Sequence, residues 1–185
     1  GLGEMIEHHI VRRIMRRANL LQHEPGYPET QALLDRVTQG LPEYGLAAVG
    51  EGKDSPGSNR IIELLERADD RPLWVSVWGG PNTLAQALYR IRKSRTADEA
   101  ERLVGKLRVY TISDQDDTGI WIRTQFPKVF YIVSPGGYGN GTWTAINSVV
   151  EGIDNTTIGN AWLARNIQQK HGPLGATYPD VAYGM

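Results

Sequence analysis

Residues 107–123 read LRVYTISDQDDTGIWIR, Leu107 to Arg123, and the order of residue types in this stretch decides the fold class. Its first part, Leu107 to Ser113, is an apolar alternating segment that forms a buried strand. Three carboxylates follow at once, Asp114, Asp116 and Asp117, and Gly119 then opens a short helix to Phe126. A strand that hands acids to a loop ahead of a helix belongs to an open α/β sheet, in which ligands bind beyond the carboxyl ends of the strands. The acids of this loop are therefore candidates for chemistry.

Upstream, Leu73 to Trp78 is a continuous apolar run interrupted only by Ser76, which reads as a strand covered on both faces. Gly79-Gly80-Pro81 ends it. A helix from Asn82 to Lys93 follows, carrying Leu84, Ala85, Leu88 and Ile91, and a second helix from Ala97 to Gly105 leads into Leu107. Two buried strands joined by helical crossovers make a parallel pair with a right-handed connection. Downstream, Val129 to Val133 is a third strand, and Ser134 to Gly152 is a long Gly-, Asn-, Ser- and Thr-rich loop with Trp143 and Ile146 as anchors.

The flanks are simpler. Ile6, Ile10, Ile14, Ala18 and Leu21 recur at helical spacing between Glu4 and Leu21, with an arginine run on the other faces that reads as a solvated surface. His8 and His9 point in different directions on such a helix and are assigned no metal. Pro28 opens a helix to about Thr38, Leu46 to Val49 is a short strand, and Ser58 caps a helix over Asn59 to Ala68. A last helix from Thr157 to Lys170 stops at Gly172-Pro173, ahead of an extended tail. The expectation is one α/β domain over residues 1–185, with a mainly parallel, Rossmann-like sheet and helices on both faces.

Composition narrows the function classes. With 20 basic against 21 acidic residues, a net charge of -1 supplies no field to gather nucleic acid or an anionic membrane. The absence of cysteine excludes disulfide scaffolds, thiolate zinc sites and cysteine nucleophiles. No apolar run is long enough to span a bilayer, and no signal peptide is visible, so a secreted form would need a leader that the sequence does not show. A small, locally recognised molecule is the expected partner. The compartment is unknown, and so is whether the chain forms a homo-oligomer.

Several motifs resemble sites and fall short of them. Asp114-Gln115-Asp116-Asp117-Thr118-Gly119 matches the first half of a calcium loop, but Gln125 stands where the bidentate glutamate belongs and a strand precedes it. The competing reading is a helix N-terminus dressed with carboxylates, which the helix dipole favours. Gly50 to Ser55 lacks phosphate-loop spacing, and Gly137 to Gly141 lacks the following helix of a dinucleotide fingerprint. His171 stands at a helix end, where capping outweighs catalysis. Trp78, Trp121, Tyr138 and Trp143 fall at strand ends or in loops, where aromatic rings can stack on sugars, although tryptophans are core residues by default.

Three blocks carry a family resemblance: RPLWVSVWGGPNTLAQAL (Arg71 to Leu88), KLRVYTISDQDDTGIWIRTQFPKVFYIVSP (Lys106 to Pro135) and HGPLGATYP (His171 to Pro179). They closely resemble the nucleoside-hydrolase-like domain of cellulose-binding proteins, and the resemblance extends from about His9, with residues 1–8 outside it. It implies an enzyme-like fold in which calcium at the strand ends holds sugar hydroxyls and a water, with hydrolysis of an N-glycosyl or related glycosyl bond. On that basis Asp114 and Asp116 are the expected catalytic pocket carboxylates, and the backbone carbonyl of Asn82 matches the family's main-chain metal ligand. Asp54, Trp78, Asp117, Trp121 and Trp143 are the expected substrate contacts. The aspartate-rich motif that follows the first strand of nucleoside hydrolases has no counterpart in this sequence, nor has their late aspartate. The chain thus resembles the middle of the domain and is expected to bind calcium poorly alone. The alternative is a non-catalytic module for cellulose or another carbohydrate, using Trp78, Trp121 and Trp143 as sugar platforms.

Overall fold

The structure is a computed structural model that describes residues 25–26, 28–134, 156, 159–176 and 178. The described residues fall into two compact units, one within Gly1–Val37 and Gly136–Met185 and the other Thr38–Pro135. The segment Glu4 to Leu21 and all of the expected loop after Ser134, with Tyr138 and Trp143, lie outside the described residues.

In the first unit, α1 (Thr30–Leu34) is shorter than the helix expected from Pro28 to Thr38 and is closed by the Asp35 amide on the carbonyls of Gln31 and Leu33. The second unit opens with a 3-10 turn at Gly45–Ala48, in place of the strand expected at Leu46 to Val49. Gly45 adopts a φ of 57°, which bends the chain away from extended geometry at this point. Helix α2 (Pro56–Glu66) starts three residues earlier than the expected Asn59. Ser55, not Ser58, is the N-cap, because Pro56 fits the first helical position and Ser58 completes a reciprocal capping box from the third.

The central elements follow the expected order: β1 (Leu73–Val77), α3 (Asn82–Ser94), α4 (Ala97–Gly105), β2 (Leu107–Ile112), α5 (Thr118–Gln125) and β3 (Phe130–Ser134). Thr96 caps α4 through a second capping box with Glu99. The three strands pair in parallel in the order β1-β2-β3, with Val75 beside Val109 and Val109 beside Tyr131. The molecule is thus an α/β protein with a parallel sheet, as a sheet fed by helical crossovers requires.

One face of the sheet supplies Val77, Leu107 and Val109 to the core, where they meet Leu65 of α2, Leu84, Leu88 and Ile91 of α3, Leu103 of α4 and Ile122 of α5. The other face is different. Trp74 and Ser76 of β1, Tyr110 of β2, and Phe130 and Ile132 of β3 are exposed. The strand expected to be covered on both faces therefore alternates between core and solvent. Its apolar run hides a period-2 pattern in which Leu73, Val75 and Val77 point one way and Trp74 and Ser76 the other.

After the second unit, α6 (Asn160–Leu163) passes into a π-helical turn at Ala164–Gln168. This pair replaces the uninterrupted helix expected to Lys170. The His171 ring nitrogen lies 3.0 Å from the Arg165 carbonyl, which gives the side chain the helix-end role read from its position. A short α7 (Gly172–Gly175) stands where the extended tail was expected to begin.

Candidate functional site

The carboxyl ends of β1 and β2 bring the acidic loop, the Gly79-Gly80-Pro81 turn and the Gly45–Ala48 turn together. Each of the three acids has its own partner and its own seat. Asp114 forms a two-pronged pair with Arg123, with the guanidinium nitrogens 2.8 and 2.7 Å from the two carboxylate oxygens. The hydrogen bonds from Arg123 hold the Asp114 carboxyl below the ordinary carboxylate range, against the opposing effect of burial, and the guanidinium charge adds to the lowering. Arg123 also lies over the ring of Tyr131, 5.1 Å from its centroid, and burial raises the phenol of Tyr131.

Asp116 is buried, and its Oδ1 accepts from the Thr118 amide at 2.8 Å and from the Thr118 hydroxyl. Thr118 is the first residue of α5, so this carboxylate satisfies one of the amides that the start of a helix leaves free. Asp117 Oδ1 accepts from the Leu46 amide at 2.9 Å and so ties the acidic loop to the 3-10 turn. One further bond reinforces that tie, the Tyr44 hydroxyl donating to the Gln115 carbonyl at 2.6 Å, while Asn82 Nδ2 donates to the Glu43 carbonyl at 2.8 Å and holds the same segment to the start of α3.

A glycine makes room for each acid. A Cβ on Gly119 would lie 2.5 Å from Asp114 Oδ1, one on Gly80 1.9 Å from Asp116 Oδ2, and one on Gly45 2.1 Å from Asp117 Oδ1. Gly119 belongs to the acidic stretch itself, whereas Gly45 and Gly80 come from separate segments that only the folded chain brings under the acids.

The remaining expected site residues divide. Asp54 accepts from Gln86 Nε2 at 2.7 Å through Oδ1 and pairs with Arg90 at 3.3 Å through Oδ2, while Gln86 also exchanges two hydrogen bonds with the Gly50 backbone. Asp54 thus serves to pin the glycine-bracketed loop to α3. Asn82 opens α3, and its Oδ1 accepts from the Thr83 amide. As a helical residue it aims its backbone carbonyl along the helix toward the amide four residues on. Trp121 packs against the core with Phe126 at 5.9 Å edge-on and the Arg92 guanidinium at 5.6 Å. Its ring is therefore occupied by protein.

Trp78 is the opposite case. It is 76% exposed at the carboxyl end of β1, and its indole N–H donates to Ser76 Oγ at 3.0 Å. One edge of the ring is tethered while its surface faces solvent. Among the described residues no group of three or more His, Asp or Glu side chains could hold a metal ion, so their donor set does not by itself fit calcium. No described helix is long and apolar enough to cross a membrane.

Comparison with known proteins agrees with this architecture. No curated protein matches the chain. A solved structure described as a nucleoside hydrolase-related hypothetical protein from Saccharophagus degradans, associated with carbohydrate metabolism, superposes with a TM-score of 0.70 at 36% sequence identity. The match covers 89% of this chain and 36% of that one, so the chain spans about a third of its length. A family model described as cellulose-binding Sde182, nucleoside hydrolase-like domain, matches residues 4–185, starting before the His9 from which the resemblance can be followed by eye. The chain belongs to this nucleoside hydrolase-like family.

Proposed function

We propose that the Thr38–Pro135 unit binds a neutral carbohydrate chain through exposed aromatic rings. The observation that carries this reading is the contrast at the strand ends. The three carboxylates there are committed to Arg123, Thr118 and Leu46, whereas Trp78 is exposed and held by Ser76. Stacking on a sugar needs an accessible, oriented ring and little charge, and Trp78 meets the first two requirements. The family description supports cellulose as the polymer to try first. The test is retention on insoluble cellulose and on soluble β-glucan. Trp78→Ala is expected to lose retention while Asp114→Asn keeps it, and an unretained wild-type protein would overturn the reading.

A second reading, hydrolysis of an N-glycosyl or related glycosyl bond, is favoured by the position of the acidic loop after β2, at the ligand-binding edge of a parallel sheet. In that reading Asp114 and Asp116 are the catalytic carboxylates, with Asp54, Asp117, Trp121 and Trp143 in support. The calcium that the family resemblance implies finds no sufficient donor set among the described residues, so the reading rests on the carboxylates and derives no step through a metal. The chain's own contribution is to hold Asp114 anionic beside Arg123. Release of free sugar from nucleosides and aryl glycosides in the presence of calcium checks it, and no turnover across such a panel refutes it for this chain.

A further inference from the structure

A cavity on the Thr38–Pro135 unit serves neither the acidic loop nor Trp78. It is open, has a volume of about 300 Å³, and lies between α3, α4 and the segment that leads from α5 into β3, with every lining residue drawn from this one unit. The length of α5, roughly 12 Å, separates it from the acidic loop, because Asp117 precedes the first turn of that helix and Gln125 ends it at the cavity. We propose that this cavity binds a small aromatic monocarboxylate, a flat apolar acid of the benzoate or cinnamate kind, and that Arg92 takes the carboxylate. Such a site neither needs nor excludes the carbohydrate reading.

The walls follow from helix periodicity. Ala97, Ala100 and Val104 recur at three- and four-residue spacing on α4, so they share one face, and all three line the cavity. Two of them are alanines, whose short side chains leave that wall flat and low. Phe126 and Pro127 supply apolar surface from beyond the end of α5. Methyl groups from one element and two rings from another suit a planar apolar body. They do not suit a sugar or a nucleoside, whose hydroxyls would lose water without gaining partners. The volume is at the small end of the range for ligand sites, which fits a single-ring acid.

Charge selects the head group. The charged side chains that line the cavity are Arg92, Glu101 and Lys128. Glu101 and Lys128 pair with each other, which leaves the charge of Arg92 as the balance at the cavity. The Arg92 guanidinium is held in one orientation: its Nη1 donates to Gln125 Oε1 at 2.8 Å, and it lies 5.0 Å from the Phe126 ring centroid and 5.6 Å from that of Trp121. The Gln125 bond occupies one N–H and the rings steady the plane, so a carboxylate meets an ordered fork with donors to spare. One positive charge beside apolar walls matches a monoanion with an apolar body. It does not match a phosphomonoester, which carries a charge of about −1.5 to −2.

The experiment titrates the full 185-residue chain in calorimetry with sodium cinnamate, with methyl cinnamate, and with cinnamate in the presence of inorganic phosphate. The acid is expected to bind about tenfold more tightly than its ester, which keeps the body and loses the charge, and phosphate is expected not to compete. Arg92→Gln should abolish the preference for acid over ester while leaving ester binding within about twofold, which a purely packing role of Arg92 would not produce. Ala100→Leu should weaken both ligands about tenfold by filling the α4 wall, and Ile120→Ala, at an exposed residue of α5 outside the cavity, should change neither. Denaturation midpoints establish that the variants fold. Should Arg92→Gln not fold, Arg92→Lys, which keeps the charge and loses the fork, is expected to reduce the same preference. A wild type that binds no cinnamate, or binds that Ala100→Leu leaves intact, overturns the cavity as the site. Equal binding of acid and ester, competition by phosphate, or a preference that survives the Arg92 substitutions overturns the monocarboxylate. None of these results bears on retention by cellulose, so the carbohydrate reading is decided separately.

Discussion

The two faces of the β1-β2-β3 sheet are built from the same three strands by alternate residues, yet they obey different rules. Inward, Leu107, Val109 and Thr111 of β2 are buried under helices. Outward, the intervening Arg108, Tyr110 and Ile112 are partly or fully open. Shifting any strand by one residue would exchange the two sets, so the inward contacts fix the register and the register in turn sets the outward pattern. The core face therefore carries the apolar packing that holds the sheet to its helices. An apolar strand is not evidence of two covered faces when large aromatics occupy one of its two parities.

The largest expected effects lie on the inward face. Leu88→Ala empties a fully buried site beneath the sheet and is expected to lower stability by about 2–5 kcal/mol in urea unfolding. A loss as small as that of a surface variant would mean the helical layer does not form the core described. Gly80→Ala is next. Its Cβ would overlap the Asp116 carboxylate, and the expected loss is about 1–3 kcal/mol. Because a carboxylate tip can swing away, the same experiment with Asp116→Ala in the background should recover part of that loss, which identifies the collision.

Smaller effects sharpen the contrast. Asp116→Ala alone removes the acceptor for the first amide of α5 and should cost about 0.5–2 kcal/mol, measured by thermal unfolding. Asp114→Asn tests the acid side of the pH profile. The folded carboxyl of Asp114 is lowered relative to the unfolded chain, so its stabilisation is fully present above the unfolded value of about 3.9 and is lost as pH falls through the lower folded value. The variant should therefore be less stable than wild type near neutral pH and converge with it in acid. A constant difference at every pH would show that Arg123 is not the cause. Outward, Trp78→Ala should shift stability by no more than about 0.5 kcal/mol, because the ring is largely in solvent already.

The acidic loop shows how far the residues could be followed without coordinates. Its place after a strand and before a helix was legible, and so was the alternative that the acids dress a helix start. Asp116 follows that alternative, bonded to Thr118 at the start of α5. The partners of Asp114 and Asp117 were not legible, since Arg123 is nine residues on and Leu46 is 71 residues back. Trp121, a candidate sugar contact that could equally be core, lies against Arg92 and Phe126, contacts that depend on how α3 and α5 pack. Trp143 falls outside the described residues.

By itself the sequence determined the order β1-α3-α4-β2-α5-β3 and its parallel sense, because apolar periodicity and Gly-Pro breaks are local properties of the chain. Only the tertiary structure decided that three glycines seat three acids, that the Gly45–Ala48 turn is bonded to the acidic loop, and that Trp74 and Tyr110 look outward. These depend on which distant segments meet at the strand ends and on which side of the sheet the helices settle. Both are set by packing free energy summed over the whole core, and no short stretch of sequence records that sum.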